Sequence, residues 1–168
     1  MHSRDLLLYA YEQIQEHLRP AVEGLSPEQL AYRPSPDANS IAWLAWHLAR
    51  IQDSHIAEVA GTEQVWTAEG WADRFDLPFA PSATGYGFTS EQVAQVRVES
   101  AGLLLAYAAA VHARTAGFLR GLTDNDLDRV VDENWDPPVT LGVRLISILD
   151  DAVQHAGQAA YVRGLVRA

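Results

Sequence analysis

An all-α fold, a bundle of four long helices, is what this sequence predicts, and three observations carry the prediction. Apolar residues recur at steps of three and four through four long stretches, no stretch alternates with the two-residue period of a strand, and the later three long stretches each open on a recognisable cap. The chain has 168 residues, which fits one domain over 1–168 with a single core and no covalent staples.

The first helix is read from about Ser3 to Glu23, with Leu7, Tyr11, Ile14, Leu18, Ala21 and Leu25 on one stripe and Arg4, Glu12, Gln15 and Glu16 facing solvent. Pro20 falls late in that pattern, where it can kink or end the helix, and His17 is a surface residue. Ser26 to Leu30 forms a short capped turn, with Pro27 in the first helical position and Gln29 closing a capping box. After a proline-rich connection, Asn39 or Ser40 caps a second helix that ends at Gly61 and turns Ile41, Leu44, Ala45, Leu48 and Ile51 inward. A long connection from Gly61 to Thr89 carries Trp66, Trp71, Phe75, Phe79, Tyr86 and Phe88, which either cover a pocket mouth or plug an open end of the core. Thr89 and Gln92 make another capping box, and a third long helix is read from there to about Leu122, loosened at Gly102 and Gly117. A turn at Thr123, a rigid Trp135 to Pro138 approach and a cap at Thr140 lead into the last helix, read over Arg144 to Val166. The long second connection lets the second and third helices run parallel by crossing over the bundle.

Inside the last helix, Asp151 and His155 are four residues apart and so project from one face, within a stripe of Leu145, Ile148, Leu149, Ala152, Ala159, Val162 and Val166. That spacing suits two metal ligands and equally suits a core ion pair, so a third ligand is needed. His47 supplies it, emerging mid-helix beside Trp43 and Ile51; His55 lies roughly 12 Å further along the same helix, too far to share one ion. Gln158, one more step of three from His155, is placed to hydrogen-bond behind the ligands or touch a substrate, as is Trp43. Asp150 and Gln154 point elsewhere, and His112 has no partner at helical spacing.

Charge and composition narrow the function. A net charge of -10 opposes a phosphate-binding surface, so nucleic acid is not expected. The start lacks the basic region and long apolar centre of a signal peptide, and the Ala101 to Val111 run is too short to cross a bilayer, so the expected location is the cytoplasm, without membrane contact. The chain has no cysteine, so any thiol must arrive on a partner molecule.

The run NSIAWLAWHLARIQD, followed by TLGVRLISILDDAVQHAGQAAYVRGL, resembles the signature of the DinB-like superfamily over essentially the whole chain. The matching positions are His47 in the second helix, His155, Gly157 and Gln158 in the last, and then Tyr161, Arg163 and Gly164. The resemblance implies a bundle of up-down-down-up order with a divalent metal held by one residue of the second helix and two of the last, usually three histidines. Asp151 stands where many members have histidine, and the mycothiol-dependent maleylpyruvate isomerase branch is similar in placing a carboxylate there. It therefore implies a metal centre of His47, Asp151 and His155, with zinc foremost and nickel, iron or manganese as alternatives. It further implies a thiol S-transferase using mycothiol or a related thiol on a small-molecule electrophile. A homodimer is a candidate assembly. No room remains after Val166 for the added domain of the full isomerase, so that specific activity is not expected. A metal-dependent hydrolase, a non-catalytic metal or ligand binder, and a purely structural role for the same polar residues are the alternatives.

Overall fold

The computed structural model describes residues 2–166 of the chain. Local chemistry sets its helix ends. Helix α1 (Ser3–Val22) opens where the Asp5 carboxylate accepts the His2 amide at 3.0 Å, and Pro20 sits so close to its end that the helix continues through it to Val22. The turn α2 (Pro27–Leu30) carries the reciprocal Ser26 and Gln29 capping bonds. Helix α3 (Ile41–Ala60) is capped by Ser40, whose hydroxyl accepts the Trp43 amide, and is closed by Gly61 in a left-handed conformation with φ 65°.

The crossover that follows contains α4 (Val65–Ala68), α5 (Trp71–Phe75) and α6 (Ser90–Gln95) before α7 (Ala101–Arg120). After a single 3-10 turn at Asp124–Asp128, a two-stranded antiparallel hairpin of β1 (Val130–Asp132) and β2 (Val139–Thr140) leads into α8 (Leu141–Leu165), which Thr140 caps.

Helices α1 and α3 occupy opposite corners of the bundle, each packed against both α7 and α8. Side-chain contacts give the directions. Arg163 near the end of α8 reaches the Glu23 carbonyl just past α1, while the Tyr11 hydroxyl donates to the Leu145 carbonyl, so α1 and α8 run the same way. Across the α3 and α8 pair, His47 meets Asp151 whereas the later His55 meets the earlier Arg144, so those two are antiparallel. The Ser3 amide reaches Asp124 and Gln15 reaches Ala108, so α1 and α7 are antiparallel as well. The order is up-down-down-up, and the parallel α3 and α7 are what require the long crossover.

Four expectations need correction. The third long helix is two pieces: α6 ends at Gln95, and residues 96–100 form an extended link before Ser100 caps α7 afresh. In that link Val96 and Val98 are buried and Arg97 and Glu99 exposed, so the β-branched alternation of a strand wins over helical continuity. The absence of strands fails at the small hairpin, where β-branched Val130, Val131, Val139 and Thr140 flank the Pro137–Pro138 turn. The last helix begins earlier than Arg144, at its cap. Finally, Leu25, Ile51, Leu149 and Val166 are only half-buried.

The crossover aromatics divide by role. Trp66, Trp71 and Phe75 are core residues gathered around Tyr107, with ring centroids 5.0, 5.6 and 5.7 Å from it, whereas Tyr86 projects into solvent. Plugging the core therefore accounts for most of them. Helix α7 as a whole is apolar and long enough, by length and composition, to cross a membrane; here it packs between α1 and α3.

Candidate metal centre

Three donor atoms converge between α3 and α8. His47 Nε2 lies 4.0 Å from Asp151 Oδ1, His155 Nε2 lies 3.4 Å from the same oxygen, and the three residues offer ligand atoms all within 4.8 Å of one another. The helices bring them together because α3 and α8 are neighbours and because Asp151 and His155, one turn apart, share a face. His47 is buried, while the Asp151 side chain keeps a third of its surface open, so the group is reached from the α8 side.

Both imidazoles are held from behind. His47 Nδ1 lies 2.7 Å from the Thr84 carbonyl, which can only accept, so Nδ1 carries the proton and Nε2 presents its lone pair to the site. His155 Nδ1 lies 2.9 Å from Gln158 Oε1 and, donating to that amide oxygen, likewise leaves Nε2 free. Trp43 stacks on His47 at 4.4 Å and 12° and meets His155 edge-on at 5.7 Å, forming an apolar wall. Asp151 Oδ2 is buried without a hydrogen bond from any described residue. A buried carboxylate oxygen without a donor is uncommon and calls for a cation or a water. The two nitrogens and one carboxylate fit a divalent transition metal, and no sulfur donor competes.

The two histidines titrate differently. Burial lowers the pKa of His47, outweighing the Thr84 carbonyl and the Asp151 charge that favour its proton, while His155 adds to the lowering. Burial also pulls His155 down, but hydrogen bonds to Asp151 and Gln158 and the Asp151 charge outweigh it, so its pKa is raised above the ordinary value. A metal bound here would have to displace the His155 proton, so its affinity is expected to hold at high pH and fall about tenfold per pH unit below the raised His155 pKa. The slope steepens only at the lower pH where His47 also protonates. Metal affinity measured across pH checks this; an unchanged affinity from pH 8 to pH 5 contradicts it.

The other expected positions sort cleanly. His55 faces Arg144 at 3.2 Å and Glu58 at 3.4 Å, away from the centre. His17 is exposed, and Asp150 and Gln154 hydrogen-bond to each other on the outer face. His112 is half-buried on α7 with no partner for Nδ1 among the described residues. Of the remaining signature positions, Tyr161 is exposed, Arg163 ties α8 to α1, and Gly157 and Gly164 have nothing near their Cα that a side chain would strike. A concavity of about 640 Å³ lies elsewhere, between α3 and α7 around Ile56, Ala113 and Phe118.

Sequence reasoning missed Thr84 and Gly85. Thr84 acts through its backbone carbonyl, which no residue type announces. Gly85, at φ 91°, lets the chain pass so close that an added Cβ would lie 2.9 Å from Trp46 and 3.0 Å from His47 Nδ1. The glycines flanking Tyr86 were the available signal.

Residues 10–159 match the family model described as the DinB superfamily. A solved crystal structure, described as the conserved protein of a locus from Enterococcus faecalis, is 34% identical, covers 99% of this chain and 98% of that one, and superposes with a TM-score of 0.93. No curated protein matches the chain.

Proposed function

This chain belongs to the DinB superfamily, and from that premise we propose that it is a divalent-metal-dependent enzyme that transfers or adds a small thiol of the mycothiol type to an electrophilic substrate. The observation that carries the reading is the convergence of His47 Nε2, Asp151 Oδ1 and His155 Nε2 while both Nδ1 atoms are engaged behind them. These three residues would hold the ion, most suitably zinc, with nickel, iron or manganese compatible with the same donors. When bound, such an ion supplies Lewis acidity that favours the thiolate of an incoming thiol.

The chain's own residues do the rest. Thr84 and Gln158 fix the ring tautomers, so each neutral ring already presents Nε2 to the site when a ligand arrives. Trp43 excludes water from the His47 side, and the open edge of Asp151 leaves the approach from solvent. Because the chain has no cysteine, the nucleophilic sulfur belongs to the cosubstrate.

Assays of metal-loaded protein with mycothiol, bacillithiol and glutathione against alkylating and epoxide electrophiles test the reading. Thiol-dependent turnover supports it. Ester or amide cleavage without thiol would replace it with a hydrolase, and metal binding without either would leave a binding protein.

Two substitutions probe the assignment. His47→Ala is expected to remove metal from the purified protein, whereas His55→Ala, which alters only the Arg144 and Glu58 contacts, is expected to keep it; equal occupancy by elemental analysis would sink the ligand set. Gln158→Ala should retain metal but weaken affinity or turnover by about 10–100-fold, the usual cost of losing a ligand's orienting partner. A Gln158→Ala protein indistinguishable from the parent in both would show that the side chain orients nothing.

A further inference from the structure

Arg50 lies one step of three beyond His47 on α3 and is fully buried. Its guanidinium contacts three side chains: Asp53 at 3.5 Å, Gln64 at 2.8 Å and, sharing Nη1 with Gln64, Tyr107 at 3.3 Å. The remaining donors point at the crossover backbone, Nε to the Ala83 carbonyl at 3.1 Å and Nη2 to the Pro81 carbonyl at 3.2 Å. The next carbonyl along, Thr84, is the one that accepts from His47 Nδ1. The next residue, Gly85, lies against Trp43, Trp46 and His47.

The stretch 81–85 has no helix or strand to hold it. Its backbone path is defined by what α3 offers, and Arg50 binds two of its carbonyls from the same rigid helix that carries His47. A planar guanidinium can bind several fixed acceptors at once; a lysine ammonium in its place cannot span both carbonyls and Asp53.

We propose that Arg50 is a positioning residue for the metal centre: by clamping the Pro81 and Ala83 carbonyls it places the Thr84 carbonyl that sets the tautomer and rotation of the His47 ring. The inference rests on the metal-binding reading, and its consequence is that the His47 side of the site is organised before metal arrives. Asp53 and Gln64 act one step further back, holding the guanidinium in register, whereas the longer Tyr107 contact only shares Nη1 with Gln64.

The test compares full-length parent, Arg50→Lys and Tyr107→Phe proteins by cobalt(II) titration, reading both affinity and the visible absorption band, and by nitrogen-15 NMR of the His47 Nδ1–H in metal-free protein. The parent is expected to show a slowly exchanging Nδ1–H without metal. Arg50→Lys should lose that signal, weaken cobalt binding by about 10–100-fold and alter the band. Tyr107→Phe, which loosens the same buried cluster without removing either carbonyl contact, should keep the ring proton and bind cobalt within about twofold of the parent. A folded Arg50→Lys protein with the parent's cobalt affinity and spectrum overturns the proposal, as does an equal loss in Tyr107→Phe, which would trace the effect to general stability. If Arg50→Lys does not fold, the parent alone decides: an Nδ1–H that appears only after cobalt is added overturns preorganisation, and one present beforehand supports it. A parent that binds no cobalt fails the metal reading instead, and the ring-proton comparison of the variants still judges the clamp.

Discussion

Asp151→Ala protein is expected to keep its helical bundle and lose its metal. The carboxylate is the shared neighbour of both imidazoles, 4.0 Å from His47 Nε2 and 3.4 Å from His155 Nε2, and without it two nitrogens remain where catalytic sites use three protein ligands. The affinity loss should exceed the roughly 100-fold upper range seen for losing a ligand's orienting partner. Because the side chain is a third exposed and accepts no backbone hydrogen bond, stability should change by no more than about 1 kcal/mol. Elemental analysis of the purified variant, alongside its melting curve, reads both quantities. Full metal content in a folded Asp151→Ala protein would remove the carboxylate from the ligand set.

Asp53→Ala should act above all on stability, with a large loss from a residue that is not a metal ligand. Asp53 accepts the Val65 and Trp66 amides and the Tyr107 hydroxyl, each at 2.8 Å, and faces Arg50 at 3.5 Å, with all of these groups buried. Alanine leaves a buried guanidinium without its counter-charge and two amides without acceptors, a defect worth about 3–5 kcal/mol. Against a total of about 5–15 kcal/mol this lowers the melting temperature by about 10 °C or more. A shift of a degree or two by calorimetry would mean that the network contributes little. In the parent, the burial of Tyr107 and its contact with the Asp53 charge hold its hydroxyl protonated well beyond the ordinary phenolic range, outweighing the opposing Arg50 charge, so the hydroxyl remains a donor to Asp53.

What could be read in the residues was whatever depends on local spacing. The caps at Ser26, Ser40, Thr89 and Thr140 sit where small hydroxyl residues precede apolar periodicity, and the structure places each of them at a helix start. Asp151, His155 and Gln158 were legible because one helix carries all three, and His47 because it interrupts an apolar run. The break at 96–100 was hidden because valines satisfy a helical stripe and a strand alternation about equally over so short a span, and only the Ser100 cap distinguishes them. The Arg50 and Asp53 pair was illegible for a different reason. At a spacing of three on a helix such a pair reads as a solvated surface contact, and only the aromatic crossover, arriving from forty residues of intervening chain, turns that face into the interior. Backbone donors and acceptors such as the Thr84 carbonyl carry no residue signature at all.

The placement of α8 between α1 and α3 has a consequence for how the protein matures. His47 is synthesised early and Asp151 and His155 late, and nothing local brings them together; the donors meet only when the last long helix docks against the second. Until then the nascent chain offers isolated imidazoles and carboxylates, each a poor competitor for scarce cellular metal. On the proposed metal reading, loading would therefore follow the closing of α3–α8 contacts between segments far apart in the chain, a slow kind to form. Ion capture would then act as a checkpoint on completed folding, and a bound metal would stabilise the docked state of that final helix.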